Sequence, residues 1–175
     1  MYLPLGTTAH KQGRVAGINA AGGHTTFAGS LGTQAVKILG LVAARTGLRD
    51  TEAAGAGFDP VSVTVAVDDH KAYYPGATTM HVRLTGDRQS SRLLGAQIIG
   101  AHGAEISKRV DVVAAALHAG ATIDQLNDFD LSYTPPLSSP WDALQTAAQA
   151  WIRDATQPAL RATTMSNPRE PTRLT

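Results

Sequence analysis

The stretch VSVTVAVDDHKAYYPGATTMHVRL, residues 61–84, decides the fold. Val61, Val63, Val65 and Val67 alternate with Ser62, Thr64, Ala66 and Asp68, which is the period of a strand with one face buried. Met80, Val82 and Leu84 repeat the alternation after a turn. Pro75 and Gly76 suit the two central positions of a type II turn, because proline presets the first dihedral and glycine accepts a positive φ at the second. That turn would fix where Tyr73 and Tyr74 point. Leu94 to Ile99 supply a third strand after the polar turn 86–91, so the centre of the chain reads as an antiparallel meander.

Working outward, Ile106, Val110, Val113 and Leu117 give one apolar face to a helix over 104–119, with Glu105 placed to pair with Arg109 one turn on. Gly120 stops it, and Thr122 with Gln125 forms a capping-box pattern for a short helix. Asp130 to Tyr133 reads as extended. Ser139 as N-cap and Pro140 at the first helical position start a last helix whose stripe is Leu144, Ala147, Ala148 and Trp151. From Thr156 the prolines and polar residues show no period, which predicts a disordered tail over 156–175.

Towards the N-terminus, residues 33–48 read as one strand bent at Gly40, followed by a short helix near 50–54. Thr8 is placed to cap a helix over 9–21 that Gly22 and Gly23 would end. Its face of Gly13, Ala16, Gly17 and Ala20 has little apolar area, so it belongs against a larger body of protein. The expected fold class is α+β, with a three- to four-stranded antiparallel sheet flanked by helices.

Composition narrows the function. A net charge of +1 with 17% charged residues leaves no basic field for nucleic acid. No apolar run approaches the roughly 18 residues of a membrane span, and the first residues lack a secretory pattern, so a cytoplasmic protein with no membrane partner is expected. With no cysteine, the chain carries no disulfide, thiolate metal site or redox thiol of its own. His10, His24, His70, His81, His102 and His118 show no HxxxH or HExxH spacing, and no metal is expected. The run 55–60 lacks the third glycine of a dinucleotide-binding loop and reads as a turn, and Ala28 to Gly32, a degenerate nucleophile elbow, reads as a loop. His102 and Glu105 read as a solvated pair.

Two Tyr/Pro clusters remain, YYPGA at 73–77 and YTPPLSSPWD at 133–142. On the residues alone, Tyr73, Tyr74 and Tyr133 are either ligand-binding hydroxyls or core or interface aromatics whose hydroxyls find a backbone partner. With Gly13-Arg14-Val15-Ala16 and Thr46-Gly47-Leu48, these clusters resemble the C-terminal dimerisation (interface) domain of the pyridine nucleotide-disulfide oxidoreductases. The branch is that of the CoA-disulfide reductases, NADH oxidases and NADH peroxidases, and the resemblance spans residues 2–152.

That resemblance implies that residues 1–26 are the closing helix of a flavin domain and 27–155 the dimerisation domain of a homodimer. It implies that Tyr133, Tyr73 and Tyr74 act in trans at the partner's active site, steadying a CoA-like thiol or disulfide substrate. Thr8, Ala9, His10, Lys11 and Gln12 would sit at the flavin edge, and Leu137, where the family usually has phenylalanine, near the partner's flavin. FAD and NAD(P)H would serve the intact parent, while this chain alone would hold neither and be catalytically silent. The alternatives are a stand-alone homodimerising interaction module, which Met1 just ahead of the resembling segment allows, or a CoA-like thiol binder.

Overall fold

The computed structural model describes residues 4–165. Helix α1 (Gly6–Ala20) leads into a hairpin, β1 (Gln34–Ile38) and β2 (Leu41–Gly47), then α2 (Asp50–Gly55). The meander follows as β3 (Pro60–Asp68), β4 (Thr79–Asp87) and β5 (Leu93–Ala101). A 3₁₀ turn at His102–Ala104 precedes α3 (Ile106–His118), α4 (Ile123–Asn127) and α5 (Ala143–Met165). All five strands form one antiparallel sheet in the order β1-β2-β5-β4-β3, so β5 closes the meander against the earlier hairpin.

The alternation in β3 and β4 places Val63, Met80, Val82 and Leu84 on one face, where Ala96 and Ile98 of β5 join them. Helix α3 lies across β2 and β5, and α5 across β3 and β4, covering that face with Ile106, Val110, Val113, Leu144, Ala147, Ala148 and Trp151. The α+β class is as expected, but the strand count rises to five. Residues 33–48 are not one bent strand: the chain reverses at Leu39, whose φ is 53°, and Ile38 pairs with Leu41. Among the described residues no helix is long and apolar enough to cross a membrane.

Helix boundaries moved for local reasons. Helix α1 begins at Gly6 with Leu5 as an uncapped N-cap, and Thr8 lies 3.4 Å from Ser30 Oγ instead of capping. Its end is as read: Gly22 has φ 89° and the Gly23 amide donates to Ile18 O at 2.9 Å, a Schellman arrangement. None of its residues is buried. The predicted 104–119 helix starts at Ile106, because Glu105 is left-handed at φ 52°. The Thr122–Gln125 capping box forms, with both reciprocal bonds present. Ser139 does not cap α5; Asp142 does, its Oδ1 accepting from Leu144 N at 3.0 Å while Gln145 Oε1 accepts from Asp142 N. Helix α5 runs on to Met165, ten residues into the stretch expected as a disordered tail. Residues 166–175 of that expectation lie outside the described residues.

The β2–α2 junction carries the strongest pKa perturbation. Glu52 Oε1 accepts from the Arg49 guanidinium at 2.8 Å, and Oε2 accepts from Arg49 N at 2.8 Å and from the Arg45 guanidinium at 2.9 Å. These bonds, Arg49's side chain first, hold the carboxyl at about 2, below its ordinary 4.5. A carboxyl depressed in the folded state stabilises fully above its unfolded value, and that contribution is lost as pH falls toward the folded value. Glu52→Gln is therefore expected to cost about 1–2 kcal/mol at pH 7, toward the low end because Arg49 is exposed. The gap to the unaltered chain should narrow below pH 4.5 and close near pH 2, which urea unfolding at pH 7, 4 and 2.5 would measure.

Candidate functional site

The two Tyr/Pro clusters are loops at the ends of packed elements. The first, residues 69–78, joins β3 to β4. Asp69 is buried and closes its base: Oδ1 accepts from the amides of His70 and Thr78, both at 2.9 Å, and Oδ2 from Thr78 Oγ1 at 3.1 Å. His70 Nδ1 also lies 3.0 Å from Asp69 Oδ1. Inside the loop the Tyr74 amide donates to Lys71 O at 2.8 Å, and Gly76 has φ 88°, as the Pro-Gly turn requires. The Tyr73 and Tyr74 rings stand 5.4 Å apart at 50°, a tilted pair that limits where either can turn.

The second loop, residues 128–142, joins α4 to α5. The amides of Leu137 and Ser138 both donate to Thr134 O, which curls Pro135 and Pro136 into a turn. Ser138 Oγ donates to Asp142 Oδ2 at 2.9 Å, and Gln145 Nε2 donates to the carbonyls of Asn127 and Phe129. The two loops touch directly where the Lys71 amide donates to Pro135 O at 3.2 Å.

Tyr73, Tyr74, Tyr133, Leu137 and Trp141 are 71, 39, 44, 66 and 54% exposed, so none of them is a core residue of this chain, while the reading as interface aromatics stands. Among the described residues of this chain none exchanges a hydrogen bond with the three phenol hydroxyls. Two heavily bonded loops thus carry three exposed phenols.

What ties the loops from beneath was not read from the sequence as a site. Arg109, on α3, is only 8% exposed. Its Nε donates to Asp142 Oδ2 at 3.2 Å, one terminal nitrogen to Asp69 O at 2.7 Å, and the other to Ala104 O. The expected Glu105–Arg109 pair does not form, because Glu105 has left the helix and is exposed. Arg109 follows Ile106 by three and precedes Val110, so its position on the buried stripe was the available signal.

Thr8, Ala9, His10, Lys11 and Gln12 lie on the first turns of α1, away from the tyrosines. No hydrogen bond or ring contact joins that helix to either loop among the described residues. The helix start has no side-chain cap and no acid in its first turn. Thr8, Lys11 and Arg14 line a cleft of about 770 Å³ with Ser30 and His118. Ala28 to Gly32 is a loop, with Ser30 Oγ accepting from Gly32 N, and His102 and Glu105 are both exposed. Among the described residues no cluster of three His, Asp or Glu side chains could hold a metal ion.

Comparison with known proteins places these features in context. Residues 33–145 match the family model described as pyridine nucleotide-disulphide oxidoreductase, dimerisation domain. A CoA-dependent NAD(P)H sulfur oxidoreductase of Pyrococcus furiosus is 36% identical over 149 residues, 85% of this chain and 33% of that protein. A coenzyme A disulfide reductase of Staphylococcus epidermidis is 32% identical over 143 residues, 81% of this chain and 32% of that protein. Among solved structures, an NAD-dependent persulfide reductase from A. fulgidus superposes with a TM-score of 0.82 at 38% identity, over 88% of this chain and 28% of that one. The chain thus spans about a third of the length of the curated relatives it matches.

Proposed function

Because this chain belongs to the dimerisation-domain family of the pyridine nucleotide-disulphide oxidoreductases, we propose that it serves a homodimeric, FAD-dependent NAD(P)H reductase of CoA-linked disulfides or persulfides. In that dimer the tyrosine loops of one subunit complete the active site of the other. The observation that carries this reading is the trio of phenols, exposed and with no hydrogen bond to their hydroxyls among the described residues, on two loops that are otherwise heavily bonded. The names of the two relatives and of the A. fulgidus structure support the substrate class.

Cleaving a disulfide releases a thiolate, and a phenol O–H donating to that sulfur lowers the cost of the developing charge. Tyr133 and one of Tyr73 and Tyr74 fill this role. The tilted ring pair and the curled Pro135-Pro136 turn order the backbone that carries the donors, which reduces the ordering left for the moment of reaction. The redox thiol lies on another stretch of polypeptide, since these residues include no cysteine.

The first turns of α1 supply groups suited to one edge of a flavin. An uncapped, acid-free helix start beside Lys11 favours negative charge, and a helix with no buried side chain is made to lie on a further domain. FAD bound there would pass electrons from NAD(P)H to the disulfide. Thr8 to Gln12 would neutralise charge at its edge, and Leu137 would pack an aliphatic group near the partner's flavin.

The test exchanges this chain for the matching third of the S. epidermidis enzyme and follows NAD(P)H-dependent reduction of CoA disulfide. Tyr133→Phe in the chimera is expected to lower turnover about 10- to 100-fold, with flavin reduction by NAD(P)H unchanged. Full turnover in Tyr133→Phe and in Tyr73→Phe/Tyr74→Phe would overturn the reading. Heat released when the isolated chain meets CoA, and lost in Tyr133→Phe, would favour the thiol-binder instead.

A further inference from the structure

We propose that Arg109 is the positioning residue of the tyrosine site, holding the loop of Tyr73 and Tyr74 and the loop of Tyr133 in one arrangement without touching the substrate. The inference rests on the reading that these tyrosines meet a substrate, and it goes beyond it by naming what sets their geometry. Each bond of the guanidinium reaches a different segment: Asp69 O at the base of the first loop, the Asp142 carboxylate at the end of the second, and Ala104 O where β5 passes into α3. The Asp142 carboxylate is committed within the fold, with Oδ2 shared by Arg109 and Ser138 and Oδ1 taken by Leu144 N.

A buried ion pair is weak evidence of net stability, because an apolar pair of the same volume often replaces one at little cost, so the charge pairing by itself does not account for Arg109 and Asp142. What the pair adds is direction. A planar fork with fixed donors ties three segments at set angles, which a lysine's single point charge does not reproduce. Without it the loops keep one direct hydrogen bond, from the Lys71 amide to Pro135 O.

The experiment labels the full chain with 3-fluorotyrosine and assigns the ¹⁹F signals by single Phe replacements. In Arg109→Met/Asp142→Leu, which removes both charges together, the signals of Tyr73, Tyr74 and Tyr133 should all shift. Protection of the Tyr74 and Leu137 amides should fall at least tenfold together, while amide protection across β4 and β5 stays within twofold. Arg109→Lys should not restore the signals. Unmoved tyrosine signals, movement of Tyr133 alone, or full rescue by lysine would each overturn the proposal. Should the double variant fail to fold, Ser138→Ala strips only one bond from Asp142: a shift reaching Tyr73 and Tyr74 supports the proposal, and a shift confined to Tyr133 overturns it. These readouts need no substrate, so the two failures are told apart: failure here removes Arg109's positioning role and leaves the chimera result standing, whereas failure of the chimera removes the substrate reading and leaves Arg109 only as the tie between the loops.

Discussion

Trp151→Ala is expected to lower the unfolding free energy by about 3–5 kcal/mol, read from urea unfolding at pH 7. Trp151 is 2% exposed and is the side chain that seats α5 on the sheet. It fits because position 86 has no side chain: a Cβ there would lie 2.8 Å from Trp151 Cε2 and Cζ2 and 3.0 Å from Ile123 Cγ1. The indole N–H donates to Val61 O at 2.8 Å, so alanine both opens a cavity and removes that carbonyl's donor. Trp151→Phe restores most of the packing but not the donor, and about 1–3 kcal/mol of loss should remain. The same helix begins at Asp142, which links this change to the site. A chain that keeps its sheet but seats α5 loosely should also lose order in the Tyr133 loop. A loss below about 1 kcal/mol in Trp151→Ala would mean that the helix is held elsewhere.

How far the sequence was legible follows from where each constraint lies. The meander could be read because β3 and β4 alternate cleanly and the Pro75-Gly76 turn states its own geometry. The tyrosine loops could be read because proline, glycine and aromatic residues cluster within ten residues. The hairpin at 38–41 could not, since its left-handed residue is Leu39 while the adjacent Gly40 drew the bend. Glu105 offered Arg109 a local partner one turn away, and the real one, Asp142, is 33 residues distant in sequence. A local pattern cannot weigh a partner delivered by packing. The same limit applies to α1, none of whose residues is buried against the rest of this chain.

Gly95→Ala is expected to cost about 3 kcal/mol or more, and to be felt as strongly as the loss of a core side chain despite adding one methyl. Gly95 on β5 pairs with Gly47 at the end of β2, where the chain leaves the sheet for α2. A Cβ at Gly95 would fall 2.3 Å from Leu48 O, 2.7 Å from Leu48 N and 2.9 Å from Thr46 O. All three are backbone atoms, so no side chain can swing away, and the Leu48 amide is already bonded to Leu94 O at 2.8 Å. Relief has to come from pulling β2 off β5, the one seam that joins the N-terminal hairpin to the meander. Gly47→Ala adds a left-handed φ of 68° to a Cβ contact of 2.3 Å with Leu94 O and should cost at least as much. Gly103→Ala, with nothing within 4 Å of its Cβ, should stay within about 0.5 kcal/mol. Parallel urea midpoints for the three variants separate a requirement for close backbone approach from a general intolerance of alanine. If Gly95→Ala matched Gly103→Ala, the β2–β5 seam would have to be looser than its geometry states, and the hairpin would be free to move apart from the sheet that carries the tyrosine loops.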